Sequence, residues 1–181
     1  MSQYRRNYIA GGTYFFTVNI LQRHKSLLID HVDMLRESVL KVKCKRPFEI
    51  GAWVVLPYHI HAMWALPEDD SDYSSRWREI KKAFTKQLPK EEGLSATRLK
   101  NGERGIWQRR FWEHTITSEL DYQNHINYIY LNPLKHGLVN QVKDWPYSSF
   151  HRDVARGLYE IDWCGTSGRD DGSNFGEREL G

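Results

Sequence analysis

The segment Tyr58-His59-Ile60-His61-Ala62-Met63-Trp64 constrains the fold more than any other stretch of the chain. Successive side chains on a strand leave by opposite faces, so His59 and His61 share one face while Tyr58, Ile60 and Ala62 take the other. Two imidazoles on one face can grip one divalent metal. Far downstream, Tyr128-Ile129-Tyr130-Leu131-Asn132-Pro133 closes a tyrosine-rich helical stretch. A metal gives a phosphodiester an electrophilic partner, and a tyrosine beside it gives a nucleophile able to hold a cut strand covalently. Folding has to join the two.

The other elements follow from periodicity. Gly11-Gly12 is a turn, and the β-branched and aromatic run over 13–20 predicts a strand. Asp30 is expected to cap a helix over 31–43, where Val32, Leu35, Val39 and Val42 recur at spacings of three and four, with Pro47 marking its end. Strands over 48–56 and 59–66, linked by Pro57-Tyr58, form a hairpin that the acidic loop Glu68-Asp69-Asp70 closes. Ser74-Ser75 is expected to cap a helix running to about residue 88. Residues 89–105 read as a mobile polar loop, 106–117 as strand-like, and 121–132 as a helix ended or kinked by Pro133. An aromatic and basic segment over 145–159 precedes a glycine-rich tail.

The order strand, helix, strand, strand, helix, strand, helix predicts an α+β domain, a ferredoxin-like antiparallel four-stranded sheet with helices packed on it, plus a C-terminal extension. At 181 residues and 40% hydrophobic composition the chain can bury one such core. That topology hosts many functions, so the site has to carry the functional argument.

Net charge is +3, and residues 161–181 hold two arginines against five carboxylates, so the body is the basic part. A basic body favours a polyanionic partner without requiring one. No apolar run has the length of a membrane helix and the N-terminus lacks the apolar stretch of a signal peptide, so a cytoplasmic protein is expected. Cys44 and Cys164 stand far apart, outside any zinc-finger spacing, and read as ordinary reduced thiols.

At roughly 100° per residue, Tyr122, Ile126, Ile129 and Pro133 form a core stripe on the last helix, and Asp121, His125, Tyr128 and Asn132 form an adjoining polar face. Tyr130 lies roughly 160° from Tyr128. Tyr128 is therefore the candidate nucleophile, with Asn132 one turn later as a candidate amide ligand. A bare His-x-His is a weak signal by itself, because most such histidines are surface or hydrogen-bonded residues. For His114, His125 and His136 a structural hydrogen-bonding role is expected.

With these residues in place, the chain resembles the HUH single-tyrosine transposases, through His59-Ile60-His61, one tyrosine in a C-terminal helix and a polar residue four positions on. The resemblance tightens in Asn132-Pro133-Leu134-Lys135-His136-Gly137-Leu138-Val139, Trp107-Gln108-Arg109-Arg110-Phe111-Trp112-Glu113-His114 and Trp145-Pro146-Tyr147-Ser148-Ser149. These segments are similar to the branch called REP-associated tyrosine transposases, from about Tyr4 to Trp163. The resemblance implies a catalytic domain over 1–140, an aromatic and basic extension of it over 141–163, and a polar disordered tail over 164–181. It also implies metal-dependent cleavage and joining of single-stranded DNA at REP-like palindromic hairpins. His59, His61 and Asn132 would bind Mg²⁺ or Mn²⁺, and Tyr128 would form a 5′-phosphotyrosine with a free 3′-hydroxyl. Imidazole ligands favour Mn²⁺ over Mg²⁺ in vitro.

DNA binding needs other residues. Arg5, Arg6, Arg76, Arg78, Lys81, Lys82, Arg109, Arg110, Lys135 and Arg152 are the candidates for phosphate contacts. Trp77, Trp107, Trp112, Trp145 and Tyr147 are candidates for stacking on unpaired bases. A monomer is expected, with residues 145–159 covering a surface that related enzymes use for pairing. Two other classes stay open: a passive single-stranded nucleic-acid binder, and a metal-dependent hydrolase that uses activated water and leaves no protein–DNA adduct.

Overall fold

Strand β1 (Thr13–Asn19) is one of the two inner strands of the sheet. The computed structural model describes residues 6–22, 26–90, 100 and 104–164. Strands β2 (Glu49–Val55), β3 (His59–Ala65) and β4 (Trp112–Thr115) join β1 in the order β2-β3-β1-β4, with every neighbouring pair antiparallel. This is the expected ferredoxin-like arrangement: two strands between which a helical crossover runs are kept apart by a third.

Alternation sorts the sheet into two faces. Tyr14, Phe16 and Val18 of β1 and Ile60, Ala62 and Trp64 of β3 are buried against α2 (Val32–Lys45) and α3 (Tyr73–Gln87). Phe15, Ala52, Val54 and Met63 leave by the other face and meet Ile126, Ile129 and Tyr130 of α4 (Glu119–Lys135). The histidines of β3 therefore lie under α4.

Several local expectations are corrected. Asp30 does not cap α2: it ends a short helix, α1 (Leu27–Asp30), and its carboxylate accepts a hydrogen bond from the Ser26 hydroxyl. The cap of α3 is Asp72, whose side chain accepts from the Ser75 backbone N–H at 2.9 Å, so Ser74 and Ser75 are helical. Only Trp112–Thr115 of the region 106–117 forms a strand, although Trp107 makes an isolated bridge to Ile20. The helix α4 neither begins nor ends where its periodicity suggested. Ser118 caps it by accepting from the Asp121 N–H, and it runs through Pro133 to Lys135.

Proline inside a helix costs about 3 kcal/mol, chiefly through a lost hydrogen bond and a clash one turn back. Pro133 is nevertheless kept within the helix, on its buried side. The helix stops at Gly137, whose φ of +65° suits glycine. Its N–H donates to the Leu134 carbonyl and the Leu138 N–H to the Pro133 carbonyl, which satisfies two of the terminal acceptors.

The segment beyond α4 closes the β2 edge. It contains a 3₁₀ turn (Val142–Asp144) and α5 (Phe150–Ala155). The Val55 N–H donates to the Tyr147 carbonyl, the Ser149 N–H donates to the Trp53 carbonyl, and the Ser149 hydroxyl accepts from the Trp53 N–H. An exposed strand edge invites pairing with other chains, and this segment occupies it. Most of the polar loop over 89–105 and the tail beyond Cys164 lie outside the described residues. Both cysteines are exposed. Among the described residues, no helix is long and apolar enough to cross a membrane.

Candidate functional site

On β3 the histidine rings stand side by side, His59 and His61 having centroids 4.8 Å apart, and both residues are buried. Register with β1 sets Thr17 opposite His61 and Asn19 opposite His59. The Thr17 hydroxyl lies 2.9 Å from His61 Nδ1. A hydrogen bond at Nδ1 leaves Nε2 as the nitrogen available to a ligand. Thr17 escaped sequence reading, because the register that brings it to His61 is a property of the sheet.

From above, α4 lowers Tyr128 onto this pair. The Tyr128 ring meets the His61 ring edge to face at 5.3 Å and Phe15 at 6.0 Å, and it remains half-buried. Lys135, two turns further along α4, places Nζ 5.3 Å over the same ring. His136 packs edge-on to His59 at 5.2 Å. Asn132 is fully buried one turn beyond Tyr128. The structure thus brings His59, His61 and Tyr128 together and adds Lys135 and His136 at the rim.

The other tyrosines of α4 are poorly suited to nucleophilic attack. Burial, reinforced by the Asp153 charge, raises the Tyr122 phenol above its ordinary value. Burial and a hydrogen bond to the Asp153 carboxylate raise Tyr130 further. Tyr130, far from the reactive face, is fully buried beneath α5 against Phe150.

A second group of titratable side chains lies where β4 meets the first turns of α4. His114 Nε2 and His125 Nδ1 are each 2.9 Å from the Asp121 carboxylate, and the three residues form a group that could hold a metal ion. Burial alone would raise the Asp121 carboxyl, but the Thr117 N–H and His114 hold it below the usual range. Burial lowers His125 and outweighs its hydrogen bond to the Asp121 carbonyl. The Phe15 ring separates this group from the histidine pair, packing 4.8 Å from His125 and 5.5 Å from His61.

The expected phosphate contacts divide by burial. Arg78, Lys82, Arg109, Arg110 and Lys135 are exposed. Arg6 is partly covered, its guanidinium 4.1 Å over Phe111 and bonded to Ser74. Lys81 donates to the Gln108 carbonyl, and burial pushes its pKa down to about 8. Two assignments are corrected. Arg76 is fully buried, bonded to Asp70 and to the carbonyls of Arg46, Pro47 and Asp72, so it holds loops together. Arg152 donates to the carbonyls of Ile50 and Gly51 and to Asp153, fastening α5 to the sheet. Arg5 lies outside the described residues. Among the aromatics, Trp77 is a core residue stacked 4.3 Å from Trp64, and the Trp145 indole donates to the Val55 carbonyl.

This sheet, with paired histidines beneath a tyrosine-bearing helix, belongs among the DNA transposases, as known proteins show. A REP-associated tyrosine transposase of Escherichia coli (strain K12) is 60% identical over 165 residues, covering 91% of this chain and 92% of its own length. A relative from Haemophilus influenzae, named provisionally in the same family, is 52% identical over 167 residues, covering 91% and 94%. A solved structure of a REP-associated tyrosine transposase bound to a REP hairpin superposes with a TM-score of 0.85 at 54% identity, covering the whole of both chains. No family model matches the chain. With this identity over nearly its whole length, the chain belongs to the REP-associated tyrosine transposases.

Proposed function

We propose that this transposase cuts and rejoins single-stranded DNA at REP-like palindromic hairpins, with Tyr128 as the nucleophile. The observation that carries the reading is the contact between the Tyr128 and His61 rings, which sets a phenol beside a pair of potential ligands. In the cutting step the Tyr128 oxygen bonds to phosphorus and the bond to the 3′-oxygen breaks. That oxygen leaves as a 3′-hydroxyl once protonated, and the phenolic proton is lost. The 5′-phosphotyrosine keeps the bond energy for the reverse attack that rejoins a strand.

The donor set suits a divalent cation. Two imidazoles side by side and a buried amide on the facing helix are ligands for Mn²⁺ or, less readily, Mg²⁺, so His59, His61 and Asn132 would hold it. When bound, such an ion offsets the negative charge that develops on the phosphoryl and leaving oxygens. A free tyrosine has a pKa of ~10, so the phenol needs positive charge nearby to react at neutral pH. Lys135 supplies some from its place over the ring. Thr17 keeps His61 oriented. Arg78, Lys82, Arg109 and Arg110 are the exposed cations fit to meet phosphates, and half-buried Trp107 and Trp112 are the aromatics fit to meet unpaired bases. With the β2 edge occupied by residues 147–149, we assign the chain a monomeric working form.

The test is incubation of the chain and its Tyr128→Phe variant with Mn²⁺ and hairpin oligonucleotides copied from palindromic repeats, followed by denaturing electrophoresis. A denaturant-resistant adduct that Tyr128→Phe abolishes is the expected result. Cleavage without an adduct would mark a hydrolase, and binding that needs no metal and cuts nothing would mark a passive binder.

A further inference from the structure

We propose that His114, Asp121 and His125 form a second cation site, distinct from the histidine pair of β3, at which a transition metal such as Zn²⁺ staples β4 to the first turns of α4. The donors converge from two elements. His114 comes from β4, whereas Asp121 and His125 are one turn apart on α4, and a ligand atom from each lies within 4.8 Å of the others.

The side chains are arranged for a shared centre. The His114 and His125 rings are nearly parallel, 14° apart in plane with centroids at 4.7 Å, and both present a nitrogen to the same carboxylate at 2.9 Å. Tetrahedral bonds of about 2.1 Å put donors roughly 3.4 Å apart, so the three groups, within 4.8 Å of one another, close on an ion by drawing together as His125 Nδ1 exchanges its 2.8 Å hydrogen bond to the Asp121 carbonyl for the metal. The carboxylate is itself held, because the Thr117 N–H donates to Asp121 Oδ2 at 2.9 Å and the Thr117 hydroxyl lies 3.3 Å from it. Outer partners of this kind are what orient metal ligands.

Exposure grades across the group, with His125 4% exposed, Asp121 19% and His114 37%. The inner side is fixed by Phe15, packed at a tilt against His125, and the outer side admits water to complete a shell. Two imidazoles and one carboxylate select borderline cations such as Zn²⁺ over Mg²⁺, which keeps oxygen ligands. The role is mechanical. Tyr128 lies one turn beyond His125 on α4, so fixing the start of that helix on β4 steadies the nucleophile without touching it.

The experiment is equilibrium dialysis of the untagged, chelator-stripped chain against Zn²⁺ alone, with bound metal counted by mass spectrometry. The His59→Ala/His61→Ala variant is expected to retain one Zn²⁺ per chain, and addition of His114→Ala to remove it. His114→Ala alone, at a partly exposed strand position, should lower the content of the natural chain by one equivalent, which decides the matter if the double variant fails to fold. Zn²⁺ should raise the Tm of the natural chain by more than it raises that of His114→Ala. Equal Zn²⁺ content with and without His114 would overturn the site, as would a folded double variant that binds none. Failure of the catalytic metal reading looks different: the natural chain and the double variant would then bind the same single equivalent, lost with His114.

Discussion

The Thr17 hydroxyl and His61 Nδ1 sit 2.9 Å apart across the pairing of β1 with β3, so the tautomer of one proposed metal ligand is set by a residue on another strand. Thr17 is fully buried, which protects the hydrogen bond from competition by water. Removing a partner of this kind costs roughly 10–100-fold in metal affinity. Thr17→Val is therefore expected to raise the Mn²⁺ concentration needed for half-maximal adduct formation by about that factor, and Thr17→Ser to restore it. A metal titration of the adduct assay measures this directly.

Lys135 reaches Tyr128 through the electrostatics of its ring. A cation over an aromatic face is worth about 0.5–2 kcal/mol. Lys135→Met is expected to slow adduct formation by about 2- to 30-fold at saturating hairpin and metal. Rapid-quench measurement of a single turnover isolates the step from DNA binding.

The Asp70–Arg76 pair makes stability depend on pH. A hydrogen bond from the buried Arg76 guanidinium, working against burial, holds the Asp70 carboxyl below its usual range. A carboxyl depressed in the folded state contributes stability that is present above its unfolded value of ~3.9 and lost as pH falls through the folded value. Urea unfolding should show this loss below about pH 4. Asp70→Asn should cost on the order of 1–3 kcal/mol at pH 7 by removing the counter-charge of Arg76, which keeps its three carbonyl acceptors, and should flatten the acid limb of the profile.

Arg110 and Arg152 are both arginines of the basic body, yet they should behave oppositely. Arg110 is exposed, and Arg110→Ala is expected to reduce the salt dependence of hairpin binding by about one counterion. Arg152→Ala should leave that slope unchanged and lower stability by about 1–3 kcal/mol, since its donors serve the carbonyls of Ile50 and Gly51. Binding titrations at several salt concentrations, paired with denaturant melts, separate the two.

Much of the framework was legible in the residues themselves. A period of two through His59-Ile60-His61 sets both histidines on one face whatever the strand pairs with, and a period near 3.6 sets Tyr128 and Asn132 on one side of a helix. The order of strands and helices then limits the sheet to few arrangements. Family-specific segments such as Asn132 to Val139 added the class of protein, which the relatives bear out.

What local pattern could not show depends on distant parts of the chain. Arg76 has the composition of a phosphate contact, and only the approach of Asp70 and of the carbonyls near Pro47 turns it inward. Pro133 is a helix breaker locally, but the last turn of α4 is retained with Pro133 buried against the domain. Trp145 and Arg152 are candidates for base and phosphate contacts until their segment is seen closing the β2 edge.

The sequence by itself determined which residue types share a face, because backbone geometry repeats over a few residues and is blind to the rest of the chain. Only the tertiary structure decided which faces meet, whether a charge lies in water or in the core, and that Thr17 and Tyr128 converge on His61. Those outcomes depend on register, burial and compensation between elements far apart in the chain, quantities that no local window contains.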